Sequence, residues 1–258
     1  MLTRESIIAA LTASLQPDPL IRAAALGGSD ATARADERSD IDLFLIVRPG
    51  AIEHAASRID AALLSISPIR LRWRLPMPTW HGFHQAFYQL QHAPEWLMVD
   101  WVIIEQGTPH PWFEVERHGT MHALFDKDAD VVIRHVDRAA IDAAVNKRLE
   151  ESRVRFQLFR HLAPKQALRD RPIDAAHFYH SLVLRSLVDV LRCVHCPDRY
   201  DYGFRYLHDD LPREMYDAVC RLCYPAGPNA IEECVQEASR LMERLTVDKP
   251  SKHFAPEC

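Results

Sequence analysis

The spacing of apolar residues divides the chain near residue 136. Before it, short strand-like runs alternate with helical spacing; after it, only helical spacing remains. Residues 4–16 predict a helix, stopped near Pro17, and residues 21–26 a short strand ending at Gly27-Gly28. Ser29 opens a turn or single helical turn reaching residue 35. The nearly unbroken apolar run 41–47 predicts a strand central in its sheet, ended by Pro49-Gly50. An amphipathic helix is expected over 52–65, then strands over 69–75, 83–90 and 96–105. The first of these alternates apolar with basic residues, as a half-exposed strand does. A Pro- and His-containing loop at 108–112 and a short strand at 131–134 complete this part. From Asp137 helices are expected over 138–161 (stopped at Pro164), 175–194, 212–223 and 230–245. A loop at 197–203 leads into residues 205–211, and the tail from Thr246 reads as loose. The expected fold class is therefore α+β: a small mixed sheet flanked by helices over 1–136, an all-helical domain over 137–245, and a tail over 246–258.

Composition narrows the class. With 258 residues and 48% hydrophobic content the chain suits one large or two modest globular domains and excludes wholesale disorder. No apolar run approaches the roughly 18 residues of a membrane span. The first helix carries Arg4 and Glu5 and no small-residue cleavage site, so it reads as folded structure rather than a signal peptide, and a cytoplasmic setting is expected. A net charge of −5 gives no general attraction to nucleic acid or to anionic membrane. Cys193-x2-Cys196 and Cys220-x2-Cys223 stand 23 residues apart, longer than the usual four-cysteine zinc interval, and both pairs fall at helix ends. Buried helical thiols are the preferred reading, with zinc as the alternative.

Chemistry concentrates in the stretch LGGSDATARADERSDIDLFLIV, residues 26–47. Asp40 and Asp42, two apart on a strand, leave one face about 7 Å apart. Alone that pair is repulsive; a divalent cation held between the carboxylates removes the repulsion, and Mg²⁺ prefers carboxylates together with substrate phosphates. Gly27 and Gly28, lacking Cβ, let backbone N–H groups approach an anion, and Ser29 adds a hydroxyl at a possible helix start. Leu26-Gly27-Gly28-Ser29 followed by Ser39-Asp40-Ile41-Asp42-Leu43 resembles the signature of the DNA polymerase β-like nucleotidyltransferase superfamily. Size and order are most similar to the bacterial antibiotic nucleotidyltransferases of the aminoglycoside and lincosamide type. No specific motif ties the helical half to them.

The resemblance implies transfer of a nucleoside monophosphate, most often from ATP, to a hydroxyl, with release of pyrophosphate. Asp40 and Asp42 would hold Mg²⁺, while Gly27, Gly28 and Ser29 would hold phosphate. It also implies a third carboxylate on a later strand. Asp100 fits best, as a lone acid inside an apolar strand, where burial is costly unless the acid is paired or metal-bound. It would either complete the metal shell or deprotonate the acceptor; a salt-bridged structural acid is the plain alternative. Glu105 is a weaker base candidate, since five residues along a regular strand it faces the other way. Arg34 and Arg38 read as solvated loop residues, with phosphate contact as the alternative. Residues 202–210 (YGFRYLHDD) either line a pocket or dock a short helix through Phe204 and Leu207. The expected acceptor is a small hydroxylated molecule, with antibiotic resistance as one outcome and a monomer or homodimer as the working unit. A macromolecular acceptor (tRNA or protein) and a non-catalytic nucleotide sensor remain as alternatives.

Overall fold

The computed structural model describes residues 1–108 and 114–247. The expected loop at 108–112 lies, apart from Thr108, outside them, as does the tail beyond 247. The chain forms two compact units, Met1–Val136 and Asp137–Cys258.

The first unit is built on a six-stranded mixed sheet. Its elements are α1 (Arg4–Leu15), β1 (Ile21–Leu26), α2 (Gly28–Ala31), β2 (Ile41–Val47), α3 (Ile52–Ile66), β3 (Ile69–Arg74), β4 (His84–Leu90), β5 (Met98–Glu105), α4 (Val115–His118) and β6 (His122–Asp126). The strand order is β3-β4-β5-β2-β1-β6. Only β2 and β5 run parallel. Helix α1 starts where Thr3 and Ser6 cap each other: the Ser6 N–H donates to Thr3 Oγ1 at 3.3 Å and the Thr3 N–H to Ser6 Oγ at 3.0 Å.

Alternation along the strands gives the sheet two unlike faces. Ile41, Leu43, Leu45, Val99, Trp101 and Ile103 join one core with Ile7, Leu11 and Leu15 of α1 and Ala55, Ile59 and Leu63 of α3. The intervening residues Asp42, Phe44, Asp100 and Val102 therefore leave the opposite face. Packing α1 and α3 on one side fixes the register of β2, and with it the direction of both acids: a slip of one residue would bury the acids under the helices.

One expectation in this unit needs correction. No strand forms at 131–134; the sheet is extended by β6, which pairs antiparallel with β1. Val132 and Ile133 are more than half exposed, and Val131 alone packs against the sheet, near Ala23 and Ile46. The Asp126 carboxylate instead turns the chain there by accepting from the Asp130 and Val131 N–H groups, both at 2.9 Å.

The second unit contains α5 (Arg138–Phe159), α6 (Leu162–Ala167), α7 (Pro172–Phe178), a π-helical stretch (Tyr179–Leu184), α8 (Arg185–His195), α9 (Leu207–Asp210), α10 (Arg213–Cys223) and α11 (Ile231–Val247). Pro164 does not stop a helix. It lies in the first turn of α6, where a missing N–H costs nothing. The helix expected over 175–194 begins earlier, at Pro172, and α11 carries the chain two residues past the point where a loose tail was expected. The hydroxyl of buried Tyr179 donates to the Leu222 carbonyl at 2.7 Å and pins α10 to this core.

Candidate active site

Asp42 of β2 stands directly opposite Asp100 of β5 in the parallel register. Neighbouring strands lie about 4.8 Å apart, so the two carboxylates share one patch of the open face. Asp40, just before β2, is tied to the start of β5, where the Met98 N–H donates to its Oδ1 at 3.1 Å. The three acids singled out in the sequence are thus brought to the same end of two adjacent strands.

The glycine turn closes on the same carboxylate. The Gly27 N–H donates to the Asp42 carbonyl at 2.8 Å. Gly28 has φ +54°, and a Cβ there would stand 1.8 Å from Asp42 Oδ2. Any side chain at position 28 would strike the acid, so glycine is required by space as well as by backbone conformation. Gly27 is equally constrained, since its Cβ would lie 2.4 Å from the Phe44 ring. Helix α2 is one turn long, and the amides of Gly28 and Ser29 at its start have no intrahelical acceptor. Ser29 itself is half-buried beside them.

Charge in this patch is poorly compensated. Burial, then the charges of Asp40 and Asp30, raise the Asp42 pKa to about 6, with Arg4 acting against them. Burial raises Asp100 to about 7; Gln85 opposes this and Asp42 and Asp40 add to it. Asp40 is raised by burial, partly offset by the Met98 N–H. Carboxylates that crowd and desolvate one another in this way are stabilised by a divalent cation, and their oxygens suit Mg²⁺. As they stand, no three His, Cys, Asp or Glu side chains among the described residues form a group set to hold a metal ion. The match to Mg²⁺ therefore rests on the donor chemistry and on the raised carboxylates.

Sequence reasoning missed Arg4, Asp30 and Gln85 at this site. Arg4 of α1 pairs with Asp30 of α2, and its Nε donates to the Asp40 carbonyl at 3.3 Å, bracing the turn against the acids. Gln85 of β4 donates from Nε2 to both Asp100 oxygens at 2.9 Å, and its Oε1 lies 2.9 Å from His81 Nε2. Gln85 pairs with Val102, two residues along from Asp100 on the same face, which a long side chain can bridge. The alternation in HQAFYQL put Gln85 on the face of Phe87; nothing in it indicated the acid as partner.

The other candidates have contacts of their own. Glu105 ends β5 opposite Val47 and accepts from the Gly50 N–H at 2.7 Å, which makes it a turn residue. Arg38 sits in the exposed loop before β2, its N–H held by Asp36 at 3.0 Å; Arg34 ends the turn after α2, its N–H donating to the Ser29 carbonyl at 2.9 Å. Residues 202–210 wrap buried Arg192; Leu207 packs into the helical core, whereas Phe204, 42% exposed, does not. Cys193 is buried and Cys196 and Cys223 partly so, but Cys220 is exposed, which departs from the expected four buried thiols. No helix among the described residues is long and apolar enough to cross a membrane.

No protein-family model and no curated protein matches the sequence. Among solved structures, an aminoglycoside 6-adenyltransferase from Bacillus subtilis is similar at 10% identity and a TM-score of 0.39, over 98% of this chain and 94% of that one. A STING-associated CdnE c-di-GMP synthase from Capnocytophaga granulosa is similar at 16% identity and a TM-score of 0.32, over 95% of this chain and 81% of that one.

Proposed function

We propose that the chain is a Mg²⁺-dependent nucleotidyltransferase that moves a nucleoside monophosphate, AMP from ATP, onto a hydroxyl of a small molecule and releases pyrophosphate. The observation that carries this reading is the seating of the Gly28 turn on Asp42, whose strand partner is Asp100. An anion cradle and a carboxylate group then form one site. Asp40 and Asp42 would hold Mg²⁺, with Asp100 beside them. Bound there, Mg²⁺ supplies neutralisation of phosphate charge and polarises the phosphorus–oxygen bonds. The Gly28 and Ser29 amides and the Ser29 hydroxyl would hold the β- and γ-phosphates.

Asp100 lies beyond Asp42 from the glycine turn, and both its oxygens accept from Gln85. That favours proton acceptance from the attacking hydroxyl over a place in the metal shell. Its pKa near 7 suits a general base at neutral pH. The test is pyrophosphate release from ATP over a panel of hydroxylated acceptors, with and without Mg²⁺. Turnover that needs both Mg²⁺ and acceptor is expected. Asp42→Asn should lower it by about a thousandfold, roughly 4 kcal/mol of transition-state stabilisation. An Asp42→Asn variant that turns over at the wild-type rate would sink the assignment.

A further inference from the structure

Around Asp189 the helical unit holds more positive charge than its fold needs. Asp189 of α8 is fully buried, and three guanidinium groups gather on its carboxylate. Arg155 of α5 donates from Nη2 to Oδ2 at 2.9 Å, and Arg185 of α8 donates from Nε to Oδ1 at 2.9 Å. Arg148 of α5 stands 3.6 Å from Oδ2. One arginine would balance the acid; the three leave a surplus of two positive charges. The arginine side chains are 31%, 35% and 38% exposed, so the surplus faces solvent around a carboxylate that does not.

The three side chains are anchored, yet most of their donors are unspent. Arg148 and Arg155 lie two helical turns apart on α5 and share a face. Arg155 donates from Nε to Ser186 Oγ at 3.0 Å, and the Arg148 guanidinium stands 5.9 Å from the centre of the Tyr200 ring. Arg155 thus uses Nε and Nη2 and keeps Nη1; Arg185 uses only Nε; Arg148 makes no hydrogen bond among the described residues. Gly203 leaves the space beside Arg185 open: a Cβ there would stand 3.5 Å from Nη1, and the Gly203 carbonyl is taken by Arg192. Ser152, between Arg148 and Arg155 on the same stripe of α5, is buried with its hydroxyl unpaired among the described residues. The polar groups of this stripe exceed what Asp189 satisfies.

We propose that Arg148, Arg155 and Arg185 form a binding site for a phosphoryl dianion, with Asp189 as the buried post that aims them. Guanidinium forks match phosphate oxygens and bind them through charge-assisted hydrogen bonds. A terminal phosphoryl group carries about two negative charges at neutral pH and three acceptor oxygens. It cancels the surplus and gives each fork an oxygen of its own. A ligand carboxylate brings one charge and two oxygens, and leaves one arginine unserved. Asp189 holds the like-charged groups together in advance, so the ligand meets a preorganised site. This site lies wholly in the helical unit and does not depend on the nucleotidyltransferase reading.

The test is calorimetry on the full, metal-free chain, titrated with inorganic phosphate, AMP, ATP and acetate. Phosphate should bind at least about tenfold more tightly than acetate. Arg148→Gln should weaken phosphate about tenfold, as loss of one charge-assisted pair does. It leaves Asp189 both hydrogen-bonded arginines, so its urea midpoint should not fall, which separates lost binding from a lost fold. Arg148→Lys restores the charge without the fork and should recover only part of the affinity. Arg213→Gln removes an exposed arginine of the same unit, paired with Asp217, and should change nothing. AMP binding as phosphate does assigns the site to a single phosphoryl group; ATP binding more tightly, and weakened by Arg148→Gln, assigns it to the end of a polyphosphate. No phosphate binding, acetate binding equal to phosphate, or an affinity that Arg148→Gln does not move overturns the proposal.

Discussion

Two groups of charged side chains are withdrawn from water in this molecule, and they are built on opposite rules. In the helical unit, fully buried Asp189 accepts from Arg155 and Arg185 at 2.9 Å, with Arg148 at 3.6 Å. Fully buried Arg192 donates to Asp210 at 2.9 Å, to the Arg199 carbonyl at 3.2 Å, and to the carbonyls of Gly203 and Arg205. Every charge there has a partner, and the partners tie α5, α8 and the 199–210 segment together. On the open face of the sheet, Asp40, Asp42 and Asp100 crowd one another, and their nearest cation, Arg4, is bonded to Asp30. Compensated burial serves the fold. Uncompensated burial persists in a stable protein when a ligand completes it, which is why the proposed function is placed on the acids rather than on the more deeply buried Asp189.

Removing a partner in the helical unit should have the largest effect on stability. Arg192→Met keeps the volume but takes the donor from three carbonyls and leaves the mostly buried Asp210 with Arg199 and one donor fewer. Breaking a buried pair from one side costs about 3–5 kcal/mol. The second unit's urea transition should move down by that amount, while Mg²⁺-dependent nucleotide binding per folded molecule stays the same. A change below about 1 kcal/mol would place the network among the inert surface pairs.

In the acid patch the sign should reverse. Asp42 and Asp100 have folded-state pKa values of about 6 and 7, above their ordinary 3.8. For such groups stability is complete below pH 4 and is lost as pH rises through 6 and 7. Without metal, wild type should therefore be less stable at pH 8 than at pH 5. Asp42→Asn removes one charge and relieves the other, and should be the more stable protein at pH 8 by about 2 kcal/mol after allowance for solvent screening. Urea melts in EDTA at the two pH values measure this. Added Mg²⁺ at pH 8 should raise wild type and leave the variant where it is.

The same contrast explains what could be read from the sequence. Asp40, Asp42 and the glycines are local: they lie within sixteen residues, and the alternation of β2 fixes their direction. Asp100 stood out because an acid inside MVDWVIIE breaks a hydrophobic run. The Arg4–Asp30 pair and the Gln85–Asp100 bond join segments that only the sheet brings together, and neither residue breaks its own local pattern. Strand β6 escaped notice because it buries only Phe125 fully and is held through backbone pairing with β1, so its apolar signal is weak. The apolar run at 131–133 imitated a strand although most of it faces water. Arg192, fully buried, was hidden because an arginine in an amphipathic helix is read as part of its wet face.

Gln85 offers the finest test, because its neutral side chain is the one that bonds Asp100. Its amide donates to both Asp100 oxygens and lowers a pKa that burial raises. Gln85→Leu keeps the size of the side chain and removes the donor. Asp100 should then hold its proton to higher pH, so the acid limb of the kcat profile moves toward alkali. At pH 7 kcat should fall about tenfold, equivalent to about 1.4 kcal/mol, with KM for the nucleotide nearly unchanged. His81→Ala should cost less, since His81 touches only the far end of the Gln85 amide. A packing defect would lower the rate at every pH and leave the limb in place. A displaced limb identifies Gln85 as the residue that holds Asp100 ready to take the proton.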